Sequence, residues 1–127
     1  MNNTSKTQKI IYWSLTALVG FIFLGSAMSK LTANAEAIKM AAGFGIDAST
    51  YSILGIIELA SVILFIIPRT GVVGTILLVA YMGGAIATHV QNGISVVAPC
   101  IIQAFILGVA FYRFPELRSK LFNTASN

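Results

Sequence analysis

The sequence predicts an all-α fold, an integral membrane four-helix bundle with both termini in the cytoplasm. Three observations carry this expectation. Hydrophobic residues make up 57% of the 127 positions and charged residues 9%, whereas an average soluble domain is about 25% charged. Four apolar runs, each near the roughly 17 to 20 residues a bilayer requires, take up most of the chain. The cations stand at the ends of these runs, with Lys6, Lys9, Arg69, Arg113, Arg118 and Lys120 on one side and Lys30 and Lys39 on the other. By the positive-inside rule the richer side is cytoplasmic.

The net charge of +4 is therefore a topology signal and implies no nucleic-acid partner. The single cysteine, Cys100, excludes an intrachain disulfide and a CxxC redox pair. It reads as a small apolar helix residue. Within these residues the spans leave no room for a separate catalytic domain.

Residues 1–9 form a polar cytoplasmic tail. The first span covers about 10–30 and also has the outline of a signal peptide, with Lys6 and Lys9 before an apolar stretch and Gly25, Ser26 and Ala27 after it. Its length, the three later spans, and Tyr12 and Trp13 as interfacial anchors favour a retained helix. In the connection that follows, Leu31, Ala35, Ile38 and Ala42 recur at helical spacing, which predicts a surface helix over about 33–42, ended by Gly43 and Gly45. It reads as a surface connector, with a lid over the bundle as the alternative.

The second span is 51–67, YSILGIIELASVILFII. Pro68, Arg69, Thr70 and Gly71 make a turn so tight that the third span, 71–89, must run antiparallel to it. In the third span Ala80, Gly84 and Thr88 repeat every four residues and Gly71 and Gly74 thin its start, the pattern of a helix that neighbours approach closely in lipid. Gln91, Asn92 and Gly93 form the next turn. Ser95 is the expected N-cap of the fourth span, 95–112, and Pro99 falls in its first turn, where a missing N–H costs little. Residues 113–127 form a cytoplasmic tail, and the membrane domain is 10–112.

Glu58 lies near the middle of the second span. Placing Asp, Lys or Arg at the centre of a spanning helix costs about 2.5 to 3.5 kcal/mol on insertion scales, and a carboxylate such as Glu58 belongs to the same class, so it marks function by default. Seven residues of helix put it roughly 10 Å below the outer end. Tyr51, Gly55, Glu58, Val62 and Phe65 share one helix face, and Gly55 makes room beside the carboxylate. Lys30 and His89 end the first and third spans on the same outer side, so three ionisable residues from three helices can share one polar pocket. Lys30 can snorkel to Glu58, and His89 can take up or release a proton near neutral pH. Gln103, at mid-depth of the fourth span, is the fourth candidate, offering an amide donor and acceptor. The plainer alternatives are interfacial boundary residues for Lys30 and His89 and interhelical packing for Gln103. One His and one Glu are too few for a zinc site, a single His without a facing axial partner does not suit haem, and no nucleotide motif or catalytic triad is present.

FLGSAMSKL at 23–31, LGIIEL at 54–59 and GGAIATH at 83–89 resemble, in order and spacing, three motifs of the DoxX-like family of small four-helix membrane proteins. The chain has Gly25, Ser26 and Ala27, then Met28 and Ser29, where the family has Ser-Gly before the Lys. The resemblance makes Lys30, Glu58 and His89 the family's polar positions. Some relatives are subunits of a thiosulfate:quinone oxidoreductase, others associate with oxidative-stress enzymes, and distant ones are receptor-assembly chaperones. The expectation is an inner-membrane accessory protein that is not catalytic on its own. Its outward pocket would hold a small amphipathic ligand, a quinone among the candidates, for a membrane redox partner. No residue here carries electrons, so a reaction would need that partner or a bound cofactor. The alternatives are an assembly or chaperone subunit with a structural polar cluster, and a proton-coupled transporter using Glu58. The latter requires a homo-oligomer, because one four-helix chain lacks paired broken helices.

Overall fold

A computed structural model describes residues 5–32 and 34–122; the outermost parts of both expected tails, 1–4 and 123–127, lie outside these. Six α-helices follow one another: α1 (Lys6–Leu31), α2 (Ala35–Gly43), α3 (Ala48–Ile66), α4 (Gly71–Gln91), α5 (Val97–Arg113) and α6 (Pro115–Phe122), with a single 3-10 turn, Pro68–Thr70, between α3 and α4. Among the described residues there is no strand. α1 begins four residues before the first apolar residue because Ser5 and Gln8 form a capping box: Ser5 Oγ accepts the Gln8 N–H at 3.1 Å and Gln8 Oε1 accepts the Ser5 N–H at 3.0 Å. Asn34 caps α2 by accepting the Glu36 N–H at 2.8 Å. Asp47 caps α3 by accepting the Thr50 N–H at 2.8 Å, a bond that holds its exposed carboxyl below the usual carboxylate range. That cap is complete at neutral pH and is lost only as the pH falls through this lowered value.

The expected N-cap of the fourth span is displaced by one residue. Val96 occupies that position, and Ser95 Oγ reaches the Val97 N–H at 3.3 Å from one residue outside it. Pro99 lies in the first turn of α5, as expected. α5 stops at Phe114, whose extended backbone is what a following proline imposes, and α6 turns away from it by 108°.

α1 packs on α3, α3 on α4 and α4 on α5, while α5 returns to α1 over a thinner seam and α2 lies against α3 and α1. Among the described residues three helices, or four if the bent α5–α6 pair counts as one span, are long and apolar enough to cross a membrane. Their core is Val19 and Phe23 of α1, Val62 and Phe65 of α3, Leu78 and Met82 of α4, and Ile106 and Val109 of α5. Large apolar side chains such as Phe21, Ile56, Ile76 and Ile101 face outward. In water that surface would be a liability; against acyl chains it is the expected exterior.

The glycines of α4 divide into two groups. A Cβ on Gly74 would run into the backbone N and Cα of Phe65, and one on Gly71 into the Phe114 ring, so α3 and α4 touch backbone to backbone at this end. Gly74→Ala is expected to destabilise the bundle by about 1 to 3 kcal/mol, since backbone and not a flexible side chain must give way; unfolding in detergent micelles measures it. The stripe of Ala80, Gly84 and Thr88 behaves otherwise and corrects the sequence expectation. Nothing lies within 4 Å of a Cβ placed on Gly84, and all three residues line an open cavity.

Candidate functional site

Glu58 faces the bundle interior in the middle of α3 and is 1% exposed. Its helix face is the predicted one: Gly55, Val62 and Phe65 are buried with it and Tyr51 is partly buried. Gly55 is required here, because a Cβ would approach Lys30 Cβ to 2.8 Å. That space lets α1 close on α3 and brings the last turn of α1 beside the carboxylate.

Three donors converge on one carboxylate oxygen. Glu58 Oε1 accepts from Lys30 Nζ at 2.9 Å, Ser26 Oγ at 3.2 Å and Tyr81 Oη at 3.3 Å. Lys30, 9% exposed, also donates to Ser26 Oγ at 2.7 Å. Its ammonium sits 5.3 Å from the Tyr51 ring centroid and 5.8 Å from that of Tyr81, within cation–π range. The site is thus a desolvated ion pair boxed by two aromatic rings and a serine. The hydroxyls take up hydrogen-bonding capacity that would otherwise be lost on burial.

Lys30, Tyr51 and Tyr81 form one wall of a cavity of about 530 Å³ between α3, α4 and α2. Leu54, Ile57, Leu77 and Ala80 line its apolar length, and Met40, Phe44 and Ile46 from α2 and the following loop roof it. His89 lines the same cavity but makes no ion pair with Glu58. Its Nδ1 lies 2.7 Å from the Ala85 carbonyl oxygen and its ring lies tilted against that of Phe44, with the centroids 4.8 Å apart. A carbonyl can only accept, so Nδ1 carries a hydrogen and donates it there. Phe44 is further held by Asn92 Nδ2, which donates to its carbonyl at 3.2 Å.

Of the four candidates from the sequence, Lys30 and Glu58 are joined, His89 shares the cavity at a distance, and Gln103 stands apart. Gln103 Nε2 donates to the Val79 carbonyl at 3.1 Å across α4 and α5, and the residue does not line the cavity. That hydrogen bond ties α5 to α4. The site residues outside those four candidates are Tyr81, Ser26 and Tyr51, although Tyr51 is expected on the Glu58 face. Ser26 lies four residues before Lys30, one turn below it on the same face of α1, a spacing that could have revealed it. Among the described residues no group of three His, Cys, Asp or Glu side chains is placed to hold a metal ion.

A sequence model of the DoxX-like family matches residues 14–111, a stretch that contains Ser26, Lys30, Glu58, Tyr81, His89 and Gln103. The chain belongs to the DoxX-like family. With its long apolar helices, this membership supports a multi-pass membrane protein. No curated protein and no solved structure shows significant similarity to the chain. The match covers most of α1 and α5, all of α3 and α4 and every residue that lines the cavity, so the site lies in the family's common portion.

Proposed function

We propose that this DoxX-like protein is an inner-membrane accessory subunit whose cavity holds a small amphipathic molecule for a redox partner. The observation that carries the reading is the cavity itself, with an apolar length ending at Lys30, the cation of the buried pair with Glu58. A buried pair is by itself weak evidence for stability; one whose cation lines a ligand-sized cavity has a further use. A quinone fits the donor set: the Tyr51 hydroxyl and the Lys30 ammonium line the polar end and can donate to a carbonyl oxygen. Electrons would come from the partner, since this chain offers no redox centre of its own.

Ligand identification by native mass spectrometry on the wild type and on Glu58→Gln tests the proposal. The wild type is expected to retain a lipid-like molecule and the variant to lose most of it. Retention by neither, with folding and partner capture unchanged, abandons the pocket. A second reading has its own support: Ser26, Lys30 and Tyr81 all satisfy Glu58 from within the chain, as a cluster fixing helix register in an assembly factor would. Partner capture that survives Glu58→Gln only when helix packing survives favours that reading.

The proposed orientation places both termini in the cytoplasm and the α2 side outside. Lys6, Lys9, Arg69, Arg118 and Lys120 gather at the end where α1 begins and α5 stops, which supports it. A cysteine introduced at Asn92 is expected to react with an impermeant reagent from the outer side; reaction from the cytoplasmic side alone reverses the orientation.

A further inference from the structure

The charge at the cavity's polar end limits what it can hold. Lys30 is the one Lys or Arg among the lining residues, and it is bound to Glu58 at 2.9 Å. The Thr88 hydroxyl is committed to the Gly84 carbonyl at 2.9 Å and the Tyr81 hydroxyl to Glu58. What remains for a ligand is the Tyr51 hydroxyl, His89 Nε2 and the one N–H of the Lys30 ammonium not given to Glu58 or Ser26. Glu58 does not line the cavity but already neutralises the Lys30 ammonium at 2.9 Å, so an anionic head would find no uncompensated Lys or Arg there, and a cationic head would meet that ammonium. In a low-dielectric site either arrangement is costly, whereas an uncharged hydroxyl or ester loses little if it is hydrogen-bonded.

The apolar part fixes the route and the shape. Leu77, Ala80, Tyr81, Gly84 and Thr88 recur along one face of α4, and from Leu77 to His89 this face runs roughly 18 Å at helical rise. Ala80 and Gly84 make its floor one small-residue stripe wide, with open space over Gly84. Ile57 and Leu77, at mid-height on α3 and α4, are 46% and 38% exposed. The groove therefore opens sideways between α3 and α4, at a depth where a membrane protein faces acyl chains and not water.

We infer that this groove takes a single-chain lipid with an uncharged, hydrogen-bonding head, admitted laterally from the bilayer. The inference rests on the ligand-pocket reading above and narrows its ligand class. The small-residue stripe accommodates the chain, and Tyr51 and His89 bind the head beneath the α2 roof.

The test uses the full chain in detergent, freed of lipid, with three probes: monoolein, oleate carrying the same chain, and dioleoyl phosphatidylglycerol. Binding is read by native mass spectrometry and by the shift in thermal unfolding. Monoolein is expected to bind at least tenfold more tightly than either anionic probe. Gly84→Leu is expected to weaken it at least tenfold, while Gly108→Leu, at an α5 glycine with equally open surroundings, leaves it unchanged. Ala80→Phe fills the same groove without touching the core and serves should Gly84→Leu not fold. Oleate or phosphatidylglycerol binding as well as monoolein, and lost with Gly84→Leu, overturns the uncharged head but leaves the pocket standing. Monoolein binding that is indifferent to both groove variants overturns the placement, and no binding of any probe overturns the pocket reading with it.

Discussion

Lys30→Met should destabilise the protein by about 3 to 5 kcal/mol, the cost of removing one partner from a buried ion pair, and Glu58→Leu should cost less. The asymmetry follows from position. Glu58 sits in the middle of α3 on a short side chain, 1% exposed, and cannot reach water when its cation is gone. Lys30 stands one residue from the end of α1, and its four-carbon stem can carry the ammonium out to the interface when its carboxylate is gone. The double variant Lys30→Met with Glu58→Leu removes both desolvation costs and should recover most of the lost stability, because apolar replacement of a whole buried pair is often neutral or better. Unfolding of the four forms in mixed micelles completes a double-mutant cycle. Equal costs for the two single variants would mean that Lys30 does not snorkel. A double variant no more stable than Lys30→Met would mean that Ser26 and Tyr81 depend on the pair. If the pair serves a ligand and not the fold, the double variant is stable yet empty.

The pair was legible in the sequence because each half carries its own signal. A carboxylate in an apolar run must have a partner, and Lys30 is the basic residue at the adjoining helix end with the reach to provide one. The helix order followed from hydropathy and the short turns. The use of the small residues was not legible. Ala-x-x-x-Gly-x-x-x-Thr states that a neighbour can come close, not that one does, and whether Gly84 is packed depends on where α3 crosses α4. That crossing is set at the other end, by the contact of Gly74 with the Phe65 backbone, so the helices touch there and leave the cavity open toward His89. Tyr81 escaped notice for a related reason. One tyrosine in an apolar helix reads as packing, and only the three-dimensional face shared with Glu58 makes its hydroxyl a ligand of the carboxylate.

Arg113→Met is the second substitution expected to cost several kcal/mol, although the sequence read Arg113 as a boundary charge. It is 4% exposed and its guanidinium crosses from the end of α5 to the end of α3, donating to the Phe65 carbonyl at 2.7 Å and the Ile66 carbonyl at 3.2 Å. These belong to the last turn of α3, where carbonyls lack helical partners and the helix dipole is negative. Among the described residues no carboxylate pairs with Arg113. The Tyr12, Phe65 and Phe114 rings lie 4.6 to 5.0 Å from its guanidinium carbon, and Nε has no acceptor. The charge is therefore held by a helix terminus and π-faces. Two hydrogen bonds from a charged donor are together worth about 3 to 6 kcal/mol, and relief of the buried guanidinium offsets part of this, so a loss of about 3 kcal/mol is expected. Arg113→Lys keeps the charge but not the fork, and should recover about half. The loss should appear in unfolding without changing ligand retention in the folded protein, because Arg113 lies at the opposite end of α3 from the cavity. Ligand retention that falls in step with stability would instead mean that the α3 terminus governs the groove.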